Sequence, residues 1–106
     1  MGIFNFFKHP DIHRGVEEYR DTPGAVLVDV RSGSEYAEGH IPGSCNVPLQ
    51  ALDKIRAVAA DQNTPLFVYC YSGARSAKAA AQLQKMGYTN VKNIGGIAAW
   101  NGSVER

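Results

Sequence analysis

Residues 66–76 read Leu66-Phe67-Val68-Tyr69-Cys70-Tyr71-Ser72-Gly73-Ala74-Arg75-Ser76. The run Leu66–Cys70 is apolar throughout, so it predicts a strand buried on both faces, as in a parallel sheet. Tyr71–Arg75 reads as a small loop containing a glycine. Ser76–Met86 predicts an Ala-rich helix with Ala80, Leu83 and Met86 three apart, and Gly87 is its expected stop. Strand, tight loop and helix in direct succession point to an α/β domain.

The flanking sequence repeats this alternation. Upstream, Ala25–Val30 is a second nearly continuous apolar run, the pattern of a central parallel strand. Asp29 and Arg31 bring charge to its carboxyl end, where ligands sit in open α/β sheets. Ser32-Gly33-Ser34-Glu35 has capping-box spacing and predicts a short helix through Glu38, stopped by Gly39. His40–Gly43 is a loop, followed by a short strand near Cys45–Val47. Pro48 suits a helix start, and Leu49, Leu52, Ile55 and Val58 give helical spacing to about Ala60. Residues 61–65 form a turn. Nearer the amino end, Asp11 caps a helix running to Arg20, with Ile12, Val16 and Tyr19 near one face, and Thr22-Pro23-Gly24 breaks it. Ile3–Phe7, with three phenylalanines, reads as an edge strand or an apolar arm, which either covers the sheet edge or docks a partner. Downstream, Asn90–Ile94 is a strand, Gly95-Gly96 a turn, and Ile97–Trp100 a last short helix, with Trp100 packed against the sheet.

The 106 residues suit one domain spanning 1–106, with 1–10 as the arm or edge strand. They are 44% hydrophobic and 20% charged, ordinary for a soluble globular chain. Eleven Lys and Arg oppose ten Asp and Glu, for a net charge of +1. That balance speaks against an electrostatic nucleic-acid binder. No apolar stretch approaches the ~20 residues of a membrane helix. The start lacks the basic leader of a secretory signal, and Phe6 stands where a myristoylation motif wants Ser or Thr. A cytoplasmic protein with reduced thiols is the expectation. Two cysteines, Cys45 and Cys70, are too few for a disulfide scaffold or a four-cysteine zinc site, and His9 and His13 are too isolated to suggest a metal. No heptad pattern is present, and a monomer is expected.

Cys70 carries the chemical interest. A helix start leaves about four backbone N–H groups without internal partners, and its dipole adds roughly half a positive charge. A sulfur held there is stabilised as thiolate, so its pKa falls and its nucleophilicity at neutral pH rises. The loop's successive N–H groups also form an anion nest. Gly73 lets the backbone curl, and Arg75 adds a planar cationic fork for oxyanions. A buried structural cysteine is the plain alternative, since free Cys is among the most buried residue types. The Ser72-Gly73-Ala74-Arg75-Ser76 context favours the functional reading.

The segments Leu27-Val28-Asp29-Val30-Arg31, Glu35-Tyr36 through Gly39-His40-Ile41-Pro42-Gly43-Ser44, and Asn46-Val47-Pro48 occur in this order. They are followed by Val68–Ser76, Gly95-Gly96-Ile97 and Trp100. In these motifs, across residues 25 to 100, the chain resembles the single-domain rhodanese family. The resemblance implies a central, mainly parallel sheet of about five strands with helices on both faces. It implies a sulfurtransferase in which Cys70 attacks the outer sulfur of a donor such as thiosulfate. Cys70 would then carry that sulfur as a persulfide and release it to cyanide or a thiol, in two half-reactions. Loop N–H groups from Tyr71 to Ser76, with Tyr71, Ser72, Gly73, Ala74, Arg75 and Ser76 as the substrate-binding set, would hold the anionic sulfur, and Arg75 would orient a sulfonate. No cofactor or metal is implied. The partners implied are a small sulfur donor and its acceptor, with a sulfur-relay protein as the alternative.

Loop length bears on the nearest competing chemistry. Cysteine phosphatases of related fold place five residues between Cys and Arg, whereas four stand between Cys70 and Arg75. A partner-dependent relay or protein-binding module is the other alternative. Asp29 and Arg31 either shape the site or form an ion pair that holds the next loop, and the pair is favoured. His40 resembles a general base, but a Cys70 thiolate needs none, so a structural hydrogen bond is expected. Cys45 departs from the family pattern. It reads either as a resolving cysteine, which requires Cα atoms within ~7 Å for a bridge, or as a small strand residue, the favoured reading.

Overall fold

The computed structural model describes residues 10–106; the proposed arm or edge strand at Ile3–Phe7, and His9, lie outside them. Four strands are present among the described residues: β1 (Val26–Asp29), β2 (Ser44–Asn46), β3 (Leu66–Cys70) and β4 (Val91–Gly96). They form one parallel sheet in the order β2-β1-β3-β4. Among the described residues the sheet thus has four strands where about five were expected, and the candidate fifth, Ile3–Phe7, lies outside them. The α-helices are α1 (Ile12–Arg20), α2 (Gly33–Glu38), α3 (Ile55–Val58) and α4 (Ala74–Lys85).

Strand alternation builds two cores. Leu66, Val68 and Cys70 point to one face of β3, where they meet Leu52, Ile55, Ala79 and Leu83. Phe67 and Tyr69 point to the other face and meet Ile12, Val16, Ile41 and Ile94. All five residues of β3 are buried, as a strand with helices on both sides requires. α1 is capped by the Asp11 side chain, which accepts from the His13 and Arg14 amides. It lies directly on β4: a Cβ at Gly15 would come within 2.4 Å of Ile94 Cβ. Trp100 packs at the rim of this core, its ring stacked on His13 at 5.0 Å.

The segment after Pro48 departs from the expected helix. Leu49–Lys54 is a 3-10 helix, broken by Ala51 at φ −127°, ψ 39°, and only Ile55–Val58 is α-helical. The Leu49 amide is drawn to the Val30 carbonyl at 3.1 Å, so the chain is tied to the end of β1 before it can wind regularly. The kink turns Val58 out to 43% exposure and buries Ala59 in its place. Two boundaries also move. α4 begins at Ala74 rather than Ser76, after Gly73 at φ +107°. β4 starts at Val91 and runs on to Gly96. A bulge skips Ile94 in the register, pairing Val68 with Asn93 and Tyr69 with Gly95. The final helical segment is a 3-10 turn, Ile97–Ala99.

From β1 the chain steps outward to β2, crosses back to β3, and continues outward to β4. The direction of winding therefore reverses between β1 and β3. In open parallel sheets a crevice opens at the carboxyl ends of the two strands flanking such a reversal. Asp29 ends β1 and Cys70 ends β3.

Candidate active site

Cys70 closes β3 on the face covered by α4, and its sulfur sits under the first turn of that helix. The residue is 1% exposed. The Gly73 amide donates to Sγ at 3.0 Å, and the Ser76 hydroxyl lies 3.4 Å from it. Burial works to raise the thiol pKa. The Ser76 hydroxyl and the amides of Ser76, Gly73 and Ser72 outweigh it, so the pKa lies below that of an ordinary thiol. A thiolate stabilised by converging donors is what a sulfur nucleophile requires.

The loop takes this shape because two glycines leave room for it. The left-handed φ of Gly73 turns its amide back toward Sγ. Gly96 stands against the far side: a Cβ there would fall 2.0 Å from the Tyr71 carbonyl oxygen. That carbonyl accepts from the Ala98 amide at 3.0 Å, which locks the loop to the chain after β4. Ser76 is fully buried, whereas Tyr71, Ser72 and Ala74 are exposed, Tyr71 at 55%. A cleft of about 550 Å³ borders the loop, lined by Tyr71, Ser72, Gly73, Gly95, Gly96 and Ala98 among others.

Arg75 projects from the first turn of α4 onto Glu35 of α2. Its fork is bidentate, Nη1 to Oε1 at 2.8 Å and Nη2 to Oε2 at 3.1 Å. Glu35 is itself held by the capping box, accepting from the Ser32 amide and hydroxyl at 3.1 Å each. The hydrogen bonds from Arg75, with those of Ser32, outweigh burial and hold its carboxyl near a pKa of about 2. The capping-box spacing located Glu35 on its helix, but the pairing with Arg75, forty positions away, had no sequence signal.

Asn93 is the second residue that sequence reasoning missed. From the middle of β4 its Oδ1 accepts from Ser76 Oγ at 2.7 Å and from the Gly95 amide at 3.1 Å. Its Nδ2 donates to the Gly73 carbonyl at 3.3 Å. It therefore orients both groups that reach Sγ. An alternating strand pattern predicts which face Asn93 occupies, but not that a bulge beside it brings the loop within reach.

The supporting candidates bond to groups other than the Cys70 loop. Asp29 and Arg31 form a buried ion pair: Nε donates at 3.1 and 3.0 Å and Nη2 at 2.7 Å. The same Nη2 donates to the Gly39 carbonyl at 2.7 Å and so fastens the end of α2. His40 stacks on Tyr36 at 3.7 Å and donates from Nδ1 to the Tyr36 carbonyl at 2.9 Å. Its backbone pairs with Glu105, and its ring bonds to the Tyr36 carbonyl rather than to the Cys70 loop. Cys45 aligns with Val28, which aligns with Val68 across the sheet. Two strand spacings separate Cys45 from β3, so its Cα lies at least ~9 Å from that of Cys70, beyond the ~7 Å limit for a bridge. Its Sγ instead contacts the Leu27 carbonyl at 3.6 Å, and burial pushes its pKa up.

Fold and site together define a class: a parallel α/β domain that presents a cysteine in an amide cradle at the carboxyl edge of its sheet. The profile of the Rhodanese-like domain matches residues 14–103. The chain is 41% identical over 81 residues to a sulfurtransferase of Allochromatium vinosum, covering 76% of this chain and 75% of that one. It is 42% identical over 78 residues to the thiosulfate sulfurtransferase GlpE of Stutzerimonas stutzeri, covering 73% and 71%. Among solved structures, a rhodanese with anions from E. coli superimposes with a TM-score of 0.72 at 32% identity, over 77% of this chain and 98% of that one. The chain belongs to the rhodanese-like domain family.

Proposed function

We propose that the protein is a sulfurtransferase working through a persulfide on Cys70. The carrying observation is the cradle itself: a nearly inaccessible sulfur with the Gly73 amide at 3.0 Å, the Ser76 hydroxyl at 3.4 Å and a lowered pKa. The names of the matched relatives support the same chemistry. In the first half-reaction the Cys70 thiolate attacks the outer sulfur of a donor. An S–S bond forms on Cys70 as the donor's own S–S bond breaks. With thiosulfate the leaving group is sulfite, which departs with the electron pair of the broken bond. In the second half-reaction an acceptor, cyanide or a thiolate, attacks the outer persulfide sulfur and returns Cys70 as thiolate. The loop amides from Tyr71 to Ser76 hold the anionic outer sulfur, and Ser76 donates to whichever sulfur carries charge. Arg75 takes part in donor binding.

Intact mass of reduced protein after thiosulfate, then after cyanide, tests this reading. A gain of one sulfur atom that cyanide removes, and that Cys70→Ser never shows, is the expected result. Sulfur uptake or turnover retained in Cys70→Ser would overturn it.

A further inference from the structure

The loop from Tyr71 to Ala74 has no charged side chain, and Arg75 is the cation that directly follows it. An anionic donor approaching Cys70 would be expected to use that guanidinium. Yet the Arg75 fork is already taken by a carboxylate that is fixed from both sides. Glu35 is gripped by Arg75 at 2.8 and 3.1 Å and by Ser32 at 3.1 Å from amide and hydroxyl alike. Its pKa of about 2 keeps it ionised at any pH where a thiolate works. The pair is one-third open to solvent, with the Glu35 and Arg75 side chains 33% and 38% exposed. The hydrogen bonds to Glu35 outweigh burial and raise the pKa of Arg75, and its charged form is favoured further by the negative charges of Glu35, Cys70 and Asp29.

An entering dianion therefore meets a neutral pair instead of a free cation, and must displace or share the fork against a fixed negative charge. We propose that Glu35 is a specificity-determining residue that, by occupying the Arg75 fork, biases the site toward low-charge persulfide donors and against dianionic thiosulfate. This rests on the sulfur-transfer reading above. With a hydropersulfide, the Cys70 thiolate takes the outer sulfur with its proton, and the donor leaves as a thiolate. Atoms and charge balance without a further reactant. With thiosulfate the same attack releases sulfite, whose charge the site must accommodate beside Glu35.

The test compares two donors on the intact chain: thiosulfate, with two negative charges, and 2-hydroxyethyl persulfide, with at most one. Glu35→Gln keeps the shape and can still complete the capping box, but frees the Arg75 fork. The expected result is a KM for thiosulfate roughly tenfold lower, the scale of one charge-assisted contact. The persulfide KM should change less than about twofold on the same scale, with kcat little altered for either donor. An equal change for both donors, or a rise in the thiosulfate KM, would overturn the proposal while leaving Cys70 chemistry standing. Should the variant fold poorly by thermal melt, Ser32→Ala loosens Glu35 without touching it. That change must shift the donor ratio in the same direction by a smaller factor, and no shift would overturn the proposal. If the wild-type protein gains no sulfur from either donor, the sulfur-transfer reading itself falls, and this one with it.

Discussion

One hydroxyl proton on Ser76 faces four acceptors: Asn93 Oδ1 at 2.7 Å, the Gly73 carbonyl at 3.1 Å, and Cys70 Sγ and the Gly95 carbonyl at 3.4 Å. It serves one of them at a time. With Cys70 as thiol, the short bond to Asn93 is the natural resting place. With Cys70 as thiolate, the negative sulfur draws the proton over, since hydrogen bonds to a charged partner are about twice as strong as neutral ones. Ser76→Ala removes this donor and leaves Cys70 buried. The thiol pKa then rises, because burial favours the neutral form with one fewer donor opposing it. Alkylation and sulfur uptake require thiolate, so both climb as pH rises through that pKa. In the variant the climb should begin at higher pH than in the wild type. At neutral pH the expected rate is lower by about tenfold, from the loss of a charge-assisted bond. Iodoacetamide labelling across a pH series measures it, and an unshifted profile would remove Ser76 from the account. At this scale Cys70, Gly73 and Ser76 were legible in the sequence, because a cysteine between a buried run and a helix start has a local physical meaning. Asn93 was not legible, because its role depends on which loop lies above it.

Between elements, the site depends on how closely the chain after β4 approaches the Cys70 loop. Gly96 makes that approach possible, with the Tyr71 carbonyl where a Cβ would otherwise stand. Gly96→Ala pushes the loop off β4, breaks the bond from the Ala98 amide to Tyr71, and misplaces the Gly73 amide beneath Sγ. A loss of about 1–3 kcal/mol is expected from overpacking, together with sulfur transfer falling well beyond what that loss of folded protein explains. Thermal melts beside turnover at a temperature where both proteins are folded separate the two effects. The element boundaries teach a related lesson. The four strands, α1 and α2 follow from periodicity and capping signals within each segment. The helix expected after Pro48 failed because its Leu49 amide bonds to Val30, a partner in another element. The start of α4 moved forward because Gly73 adopts a left-handed φ that ends the loop two residues earlier.

For the molecule as a whole, the two cores on either side of the sheet set stability, and the kinked segment tests where the core lies. Leu83 of α4 is fully buried against β3, whereas Val58 is largely turned out. Leu83→Ala should cost about 2–5 kcal/mol, and Val58→Ala within ~0.5 kcal/mol, as at an exposed site. Urea midpoints measure both. Comparable losses at the two positions would mean that Val58 lies on the buried face, as simple helical spacing expects. No helix among the described residues is long and apolar enough to cross a membrane.

The class of fold, the order of elements and the candidacy of Cys70 as a nucleophile were written in the chain locally. Apolar runs, caps and glycines act over a few residues, and their physics does not depend on what lies far along the sequence. Which distant groups meet was decided only on folding. The winding reversal between β1 and β3 sets the ends of those two strands, Asp29 and Cys70, at one edge of the sheet, and the bulge in β4 brings Asn93 within reach of the loop. The fold brings Glu35 of α2 within reach of the first turn of α4 and gives it the Arg75 fork, where the sequence alone would assign that fork to a donor. Such contacts join residues tens of positions apart, and no periodicity records them. Side-chain charge and shape become partners only when the sheet has fixed the distances.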